Sequence, residues 1–67
     1  MKKITIQIEQ QADGTKDYRV FRGRKDLGII WRNGPGDWEC ENSVTGMTWG
    51  SIDTLEDAIE WLINSHN

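Results

Sequence analysis

One amphipathic helix pattern, close to the C-terminus, is the feature that most constrains how this chain can fold. Its apolar residues recur at the i, i+3, i+4, i+7 and i+8 positions of a helix that buries a single side: Leu55, Ala58, Ile59, Leu62 and Ile63. Asp53 and Thr54 precede this stripe and supply a capping side chain, and the acidic Glu56 and Asp57 suit the positive end of the helix dipole. The sequence therefore predicts one helix, with its apolar side lying on a sheet.

The segments before the helix alternate in polarity with a period of two, which is typical of strands with one buried face. We predict five of them, separated by turn residues, over 4–8, 18–22, 27–32, 38–41 and 47–50. In the third strand Leu27, Ile29 and Trp31 are expected to share one face, and 33–37, with the sequence NGPGD, to form a hairpin turn. The predicted fold class is therefore α+β, a small antiparallel sheet of three to five strands packed against one C-terminal helix.

Sixty-seven residues are too few for two hydrophobic cores, so we predict a single domain over 1–67. The helix stripe is long enough to form one core with apolar residues of the strands. We expect Leu55, Ala58, Ile59 and Leu62 to be buried together with Ile6, Ile29 and Trp49.

Cysteine and histidine each occur once, as Cys40 and His66, so one chain cannot form a disulfide or a Cys/His zinc cluster. A lone thiol suits a reducing compartment, and the polar alternation after Met1 breaks any secretory signal, so we expect a cytoplasmic protein. The longest nearly apolar run, 27–31, is far shorter than a membrane helix requires. We predict neither a cofactor nor a membrane partner.

Charge is divided unequally along the chain. All eight basic residues lie within 2–32, where four acidic residues leave a net charge of +4, whereas 33–67 contains seven acidic residues and no lysine or arginine. The halves either attract one another across the fold or present surfaces of opposite charge. The overall net charge of −3 disfavours a uniformly basic nucleic-acid binder.

Catalytic chemistry has few candidate residues. Glu39 and Glu41 share one strand face, as paired carboxylates of glycosidases can, but opposite the apolar Trp38 and Cys40 they are better explained as a solvated face. Cys40 is expected to be a small buried hydrophobe, and His66 is too near the chain end to be held as its base. We predict that the protein is not an enzyme and that Cys40 and His66 are dispensable.

Four tryptophans are unusual in so short a chain. Trp31 and Trp49 lie among apolar strand residues, which predicts that both pack between sheet and helix. Trp61 flanks the helix stripe and is expected to be half exposed, as aromatic residues of recognition surfaces often are.

Two segments resemble a known family of DNA-binding domains. The sequences GDWECE at 36–41 and WGSIDTLEDA at 49–58 resemble the plant ethylene-response-factor domain and the related arm-binding domain of phage integrases. The resemblance covers about 18–62 and implies a three-stranded sheet with one packed helix, the sheet lying in the major groove of DNA. It also implies that base and phosphate contacts come from five residues: Arg19, Arg22, Arg24, Arg32 and Trp38. However, Glu39 and Glu41 occupy a strand that commonly bears arginine in that family, so they would face phosphates.

These observations support two functional hypotheses. We favour a protein-interaction module, adaptor-like or inhibitor-like, of a kind that would suit a phage or mobile-element product, with a protein partner. Self-association through an unpaired strand edge, that of the first strand, stays open beside it. The alternative is a DNA-binding domain that uses its basic stretch. The candidate binding surface contains eight residues: Arg19, Arg22, Arg24, Arg32, Trp38, Glu39, Glu41 and Trp61.

Overall fold

The computed structural model describes residues 3–66 and has five strands followed by one helix. Its elements are β1 (Ile4–Gln10), β2 (Lys16–Arg22), β3 (Lys25–Arg32), β4 (Trp38–Asn42), β5 (Thr48–Ile52) and α1 (Leu55–Asn64). The strands form one antiparallel sheet in the order β1-β2-β3-β4-β5, so each strand is a hairpin partner of the next. The predicted α+β class, with five strands and a C-terminal helix, is confirmed. The helix is too short, and not apolar enough, to be a membrane span.

A β-bulge in β3 changes which side chains reach the core. Val20 pairs with Gly28 and Phe21 pairs with Asp26, so Leu27 is an extra residue without a partner on β2. The extra residue shifts the alternation by one position, and Leu27 is buried on the same side as Ile30. The prediction that Leu27, Ile29 and Trp31 share a face was therefore wrong. Ile29 and Trp31 point to the opposite side of the sheet, where they pair with Glu41 and Glu39. The prediction that Trp31 packs between the sheet and the helix was therefore also wrong.

A second irregularity lies in β5, where Gly50 and Ser51 interrupt the pairing with β4. Cys40 pairs with Trp49 and Trp38 pairs with Ile52, so two β5 residues lie opposite one β4 residue. Ser51 has φ 59°, a left-handed conformation unusual for a residue with a side chain, and its N–H donates to Asp37 Oδ1 at 3.0 Å. This arrangement brings Ile52 into the core.

The core lies between the helix and the middle of the sheet. Its buried members are Val20, Leu27, Ile30, Cys40, Ile52, Ala58 and Leu62. Leu55, Ile59 and Trp49 pack against this core as predicted, but their side chains are only partly buried. Ile6 is exposed and Ile29 faces the other side of the sheet, so the prediction that these two belong to the core was wrong.

Both ends of the helix are held by hydrogen bonds. At the start, Thr54 Oγ1 accepts from the Asp57 N–H at 3.1 Å, which confirms the predicted N-cap. At the far end, buried Asn42 donates from Nδ2 to Ser65 Oγ at 2.9 Å, and the Ser65 hydroxyl donates to the Leu62 carbonyl. His66 Nε2 donates to the Leu27 carbonyl at 2.8 Å. The end of the helix is thereby fixed to β3 and β4.

The helix covers only part of the sheet. Its main contacts are with β3, β4 and β5. Five strands spaced about 4.8 Å apart are roughly 19 Å wide, whereas a helix with its side chains is about 10–12 Å across. Ile6 and Ile8 of β1, on the helix side of the sheet, are consequently 39% and 61% exposed.

Candidate functional site

The face of the sheet turned away from the helix contains three of the predicted site residues, Arg19, Glu39 and Glu41. Arg19 Nη1 lies 2.8 Å from Asp26 Oδ2, and its Nε lies 3.9 Å from Glu9 Oε1. Trp31 Nε1 donates to Glu39 Oε1 at 2.9 Å, and Asn33 donates to the other oxygen. We call this surface the open face. Arg19 and Glu39 are thus engaged with neighbouring side chains, and the charged residues of the open face are mostly acidic.

Two other predicted residues, Arg32 and Trp38, lie on the helix side of the sheet near the 33–37 turn. The Arg32 guanidinium lies 5.5 Å from the Trp38 ring centroid, and Tyr18 packs edge-on against the same ring at 5.8 Å. These side chains line a groove of about 630 Å³ that also includes Pro35. The arginine is therefore held against an aromatic ring on the face opposite Arg19.

Arg22 and Arg24 lie at a third place, the turn between β2 and β3. The Gly23 N–H donates to the Lys3 carbonyl at 3.0 Å, which brings the start of β1 beside this turn. Lys25 begins β3 at the same end of the sheet. We call Lys3, Arg22, Arg24 and Lys25 the basic end. The four candidate arginines thus do not converge on one surface.

Trp61, the last predicted residue, lies on the helix and is 49% exposed, in agreement with the expectation. Its ring stacks on Trp49 of β5, with centroids 5.9 Å apart and planes inclined by 28°. Beside the two rings lies a groove of about 480 Å³ whose lining includes Asp53, Asp57 and Glu60. We call these five residues the acidic tryptophan groove.

The three carboxylates of this groove have no ion-pair partner among residues 3–66, where Arg19 makes all the ion pairs. Asp57, Glu60, Trp61 and Asn64 follow one another at helical spacing, so they share one flank of α1. The sequence predicted Trp61 as a candidate residue, but Asp53 and Asp57 were interpreted only as groups at the start of the helix, and Glu60 was not considered. The i, i+3, i+4, i+7 spacing around Trp61 was the signal that would have joined them.

Cys40 and His66, which were considered for catalysis, do not contact one another. Cys40 is fully buried, and burial raises the pKa of its thiol to about 11. His66 is engaged by the Leu27 carbonyl and is not paired with the thiol. Because that bond ties the helix end to β3, His66 has a structural role that its position near the terminus did not predict. Over residues 3–66, no three His, Cys, Asp or Glu side chains are arranged to hold a metal ion.

No protein-family model matches this chain, and neither does a curated protein or a solved structure. The resemblance to the ethylene-response-factor and integrase domains therefore stays a prediction.

Proposed function

We propose that this chain is a non-enzymatic protein-interaction module that binds an arginine-containing basic segment of a partner protein in the acidic tryptophan groove. The observation that carries the proposal is the stacked Trp49–Trp61 pair beside three carboxylates that have no cationic partner within the described residues 3–66. A guanidinium can lie on an exposed indole and pair with a neighbouring carboxylate at the same time. Lysine can make the charge contact but lacks the planar stacking group.

The charge distribution supports the same function. If the two halves of the chain attracted one another, basic residues of 3–32 would pair with acidic residues of 33–66. Arg19 instead pairs with Glu9 and Asp26, both within the basic half, and no ion pair joins the halves among the described residues. The acidic surface is therefore free to bind an external cation.

The surroundings of two candidate catalytic residues, Glu39 and Cys40, support a non-enzymatic role. Both Glu39 oxygens accept hydrogen bonds from neighbours, and Cys40 is buried with a raised pKa. We also propose a cytoplasmic location, because a single thiol packed in the core is compatible with a reducing compartment.

The test is a fluorescence titration of the protein with a short arginine-rich peptide, compared with peptides in which lysine or glutamate replaces arginine. We expect the arginine peptide to bind most tightly, the lysine peptide more weakly, and the glutamate peptide not at all. Glu60→Gln should weaken binding several-fold, because it removes a groove carboxylate. Glu56→Gln is the matched control, since Glu56 lies on the same helix but does not line the groove. Equal weakening by both variants, or equal binding of all three peptides, would contradict the proposal.

A DNA-binding function is the second candidate, and the basic end is the observation that favours it. Lys3, Arg22, Arg24 and Lys25 lie together, and none forms an ion pair within 4.0 Å among residues 3–66. Phosphate-driven binding would weaken steeply with salt, with a log–log slope of about −0.9 per phosphate neutralised. We expect negligible duplex binding at physiological salt. Tight, salt-sensitive binding that is lost in Arg22→Ala would establish DNA binding and displace the first proposal.

A further inference from the structure

The outer edge of β1 has backbone groups that no other strand of the described residues uses. Among the strands within 3–66, β1 is the first of the sheet and pairs only with β2. The Gln11 N–H donates to the Thr15 carbonyl, and the Lys3 carbonyl accepts from Gly23, so the odd-numbered residues direct their backbone groups toward β2. The N–H and C=O groups of Ile4, Ile6, Ile8 and Gln10 consequently point away from the sheet. They form a row of donors and acceptors to which another strand can pair.

The two edges of the sheet differ in their suitability for such pairing. The β5 edge has five residues, is interrupted at Gly50 and Ser51, and leads directly into the helix. The β1 edge has seven residues, pairs in unbroken register along its whole length, and contains neither proline nor glycine. Irregular, short edges resist strand addition and long, regular edges permit it. The capacity for pairing is therefore concentrated on β1.

The sequence of β1 is complementary to itself in one antiparallel register. When Ile6 lies opposite Ile6 of a second copy, Ile4 lies opposite Ile8, and the partly exposed isoleucines of both copies meet on the helix side. On the other side of the sheet, Lys3 lies opposite Glu9 of the second copy, and the twofold axis repeats this pair. Ile4, Ile6 and Ile8 are also the residues whose outward backbone groups would bond in this register.

We propose that β1 is the interface of a symmetric homodimer, in which two copies join their sheets edge to edge in the register centred on Ile6. The occupant is a second copy because this register satisfies three requirements together: outward hydrogen-bonding groups, contact between isoleucines, and two Lys3–Glu9 pairs. Within one copy Glu9 lies 3.9 Å from Arg19, whose closer partner is Asp26 at 2.8 Å. Glu9 is therefore weakly held and is free to pair with lysine. The interface is separate from the acidic tryptophan groove, so the two proposals stand or fall independently.

The experiment is analytical ultracentrifugation of the full chain over a dilution series, with circular dichroism to verify folding of each variant. The wild-type chain is expected to pass from dimer to monomer on dilution. Lys3→Glu should weaken the dimer about tenfold, because two attractive pairs become two repulsive ones. Glu9→Lys should act likewise, and the double variant Lys3→Glu with Glu9→Lys should regain affinity. Lys25→Glu is the control, since it makes the same charge change at the same end of the sheet but on β3, which β2 separates from the β1 edge.

A backbone variant tests the edge independently of charge. Ile6→Pro removes the Ile6 N–H, which points to solvent in the monomer. In the symmetric dimer each copy would donate this N–H to the Ile6 carbonyl of the other, so the variant loses two hydrogen bonds. It should abolish the dimer while the monomer remains folded. A wild-type chain that is monomeric at every concentration would overturn the proposal. So would a double charge variant weaker than either single variant, because charge reversal on both sides must restore complementarity in the proposed register.

Discussion

The part of the sheet beneath the helix and the part beyond it differ in whether their apolar side chains are buried. In β3 and β5, a bulge and a left-handed residue shift the backbone so that apolar side chains are buried. In β4, the buried Asn42 side chain is hydrogen-bonded to Ser65. In β1 the pairing is regular, yet Ile6 and Ile8 remain exposed. Regular alternation in a strand thus indicates which side chains share a face. Burial depends on whether another element reaches that face.

The difference follows from the size of the one helix. Ten helical residues cover about 15 Å of length, and their apolar stripe is narrower than five strands. The covered region supplies the core, and the uncovered region supplies the free strand edge. The stability and the proposed associations of the molecule therefore arise from different strands.

Truncating one apolar side chain in each region to alanine should give the largest difference in the free energy of unfolding. Leu62 is fully buried against β3 and β4, so Leu62→Ala should reduce the free energy of unfolding by about 2–5 kcal/mol, much of the stability of a domain this small. Ile8→Ala in β1 should cost less than about 1 kcal/mol, because the side chain is already 61% exposed. Urea unfolding of both variants, at concentrations where the chain is monomeric, measures the contrast. Similar losses would show that the helix covers β1 in solution.

Two glycines provide a sharper test of the contact between helix and sheet. A Cβ on Gly28 would overlap the Glu41 carbonyl oxygen and lie 2.8 Å from Cδ2 of Leu62. Gly28→Ala is therefore expected to destabilise the chain by about 1–3 kcal/mol. Gly50→Ala is the control, because a Cβ there meets only the flexible Glu39 side chain, at 3.4 Å. Thermal melts should place the Gly28 variant well below the control, and the reverse order would mean that α1 does not approach β3 as described.

Near neutral pH the smallest effect on stability is expected from ionisation of the buried thiol, because the folded and the unfolded chain both keep the thiol proton there. Burial raises the pKa of Cys40 from 9.0 to about 11 in the folded chain. Between these values the unfolded chain loses the proton and the folded chain keeps it, so stability falls as pH rises, by at most about 1.4 kcal/mol per pH unit. Cys40→Ala removes this contribution, and its unfolding free energy should depend less on pH between 9 and 11 than that of the wild type. Identical pH dependence in the two proteins would place the thiol in contact with solvent.

Sequence patterns predicted the strands and the helix better than they predicted which side chains are buried. The helix stripe, the Thr54 cap and the 33–37 turn are local features, and each appears where its residues indicate. Assignment of Leu27 to the face of Ile29 failed because the bulge depends on the pairing of β3 with β2, which periodicity within one strand does not report. Ile6 failed as a core residue because coverage depends on where the helix crosses the sheet.

The candidate site was predicted only in pieces for the same reason. Trp61 was identified from its position beside the apolar stripe, but its partner Trp49 was assigned wholly to the core. Their stacking depends on how β5 meets α1. The arginines were grouped by proximity along the chain, whereas the hairpins distribute them among the open face, the Trp38 ring and the basic end.

The four tryptophan indole N–H groups allow one direct measurement of the proposed function. Trp31 lies on the open face, Trp38 beneath Arg32, and Trp49 and Trp61 in the acidic tryptophan groove. We propose recording their ¹⁵N–¹H resonances by NMR while an arginine-rich peptide is added. We expect the Trp49 and Trp61 signals to shift together and saturate, while those of Trp31 and Trp38 stay in place. Shifts confined to Trp31 or Trp38, or no shift at all, would contradict the proposed function.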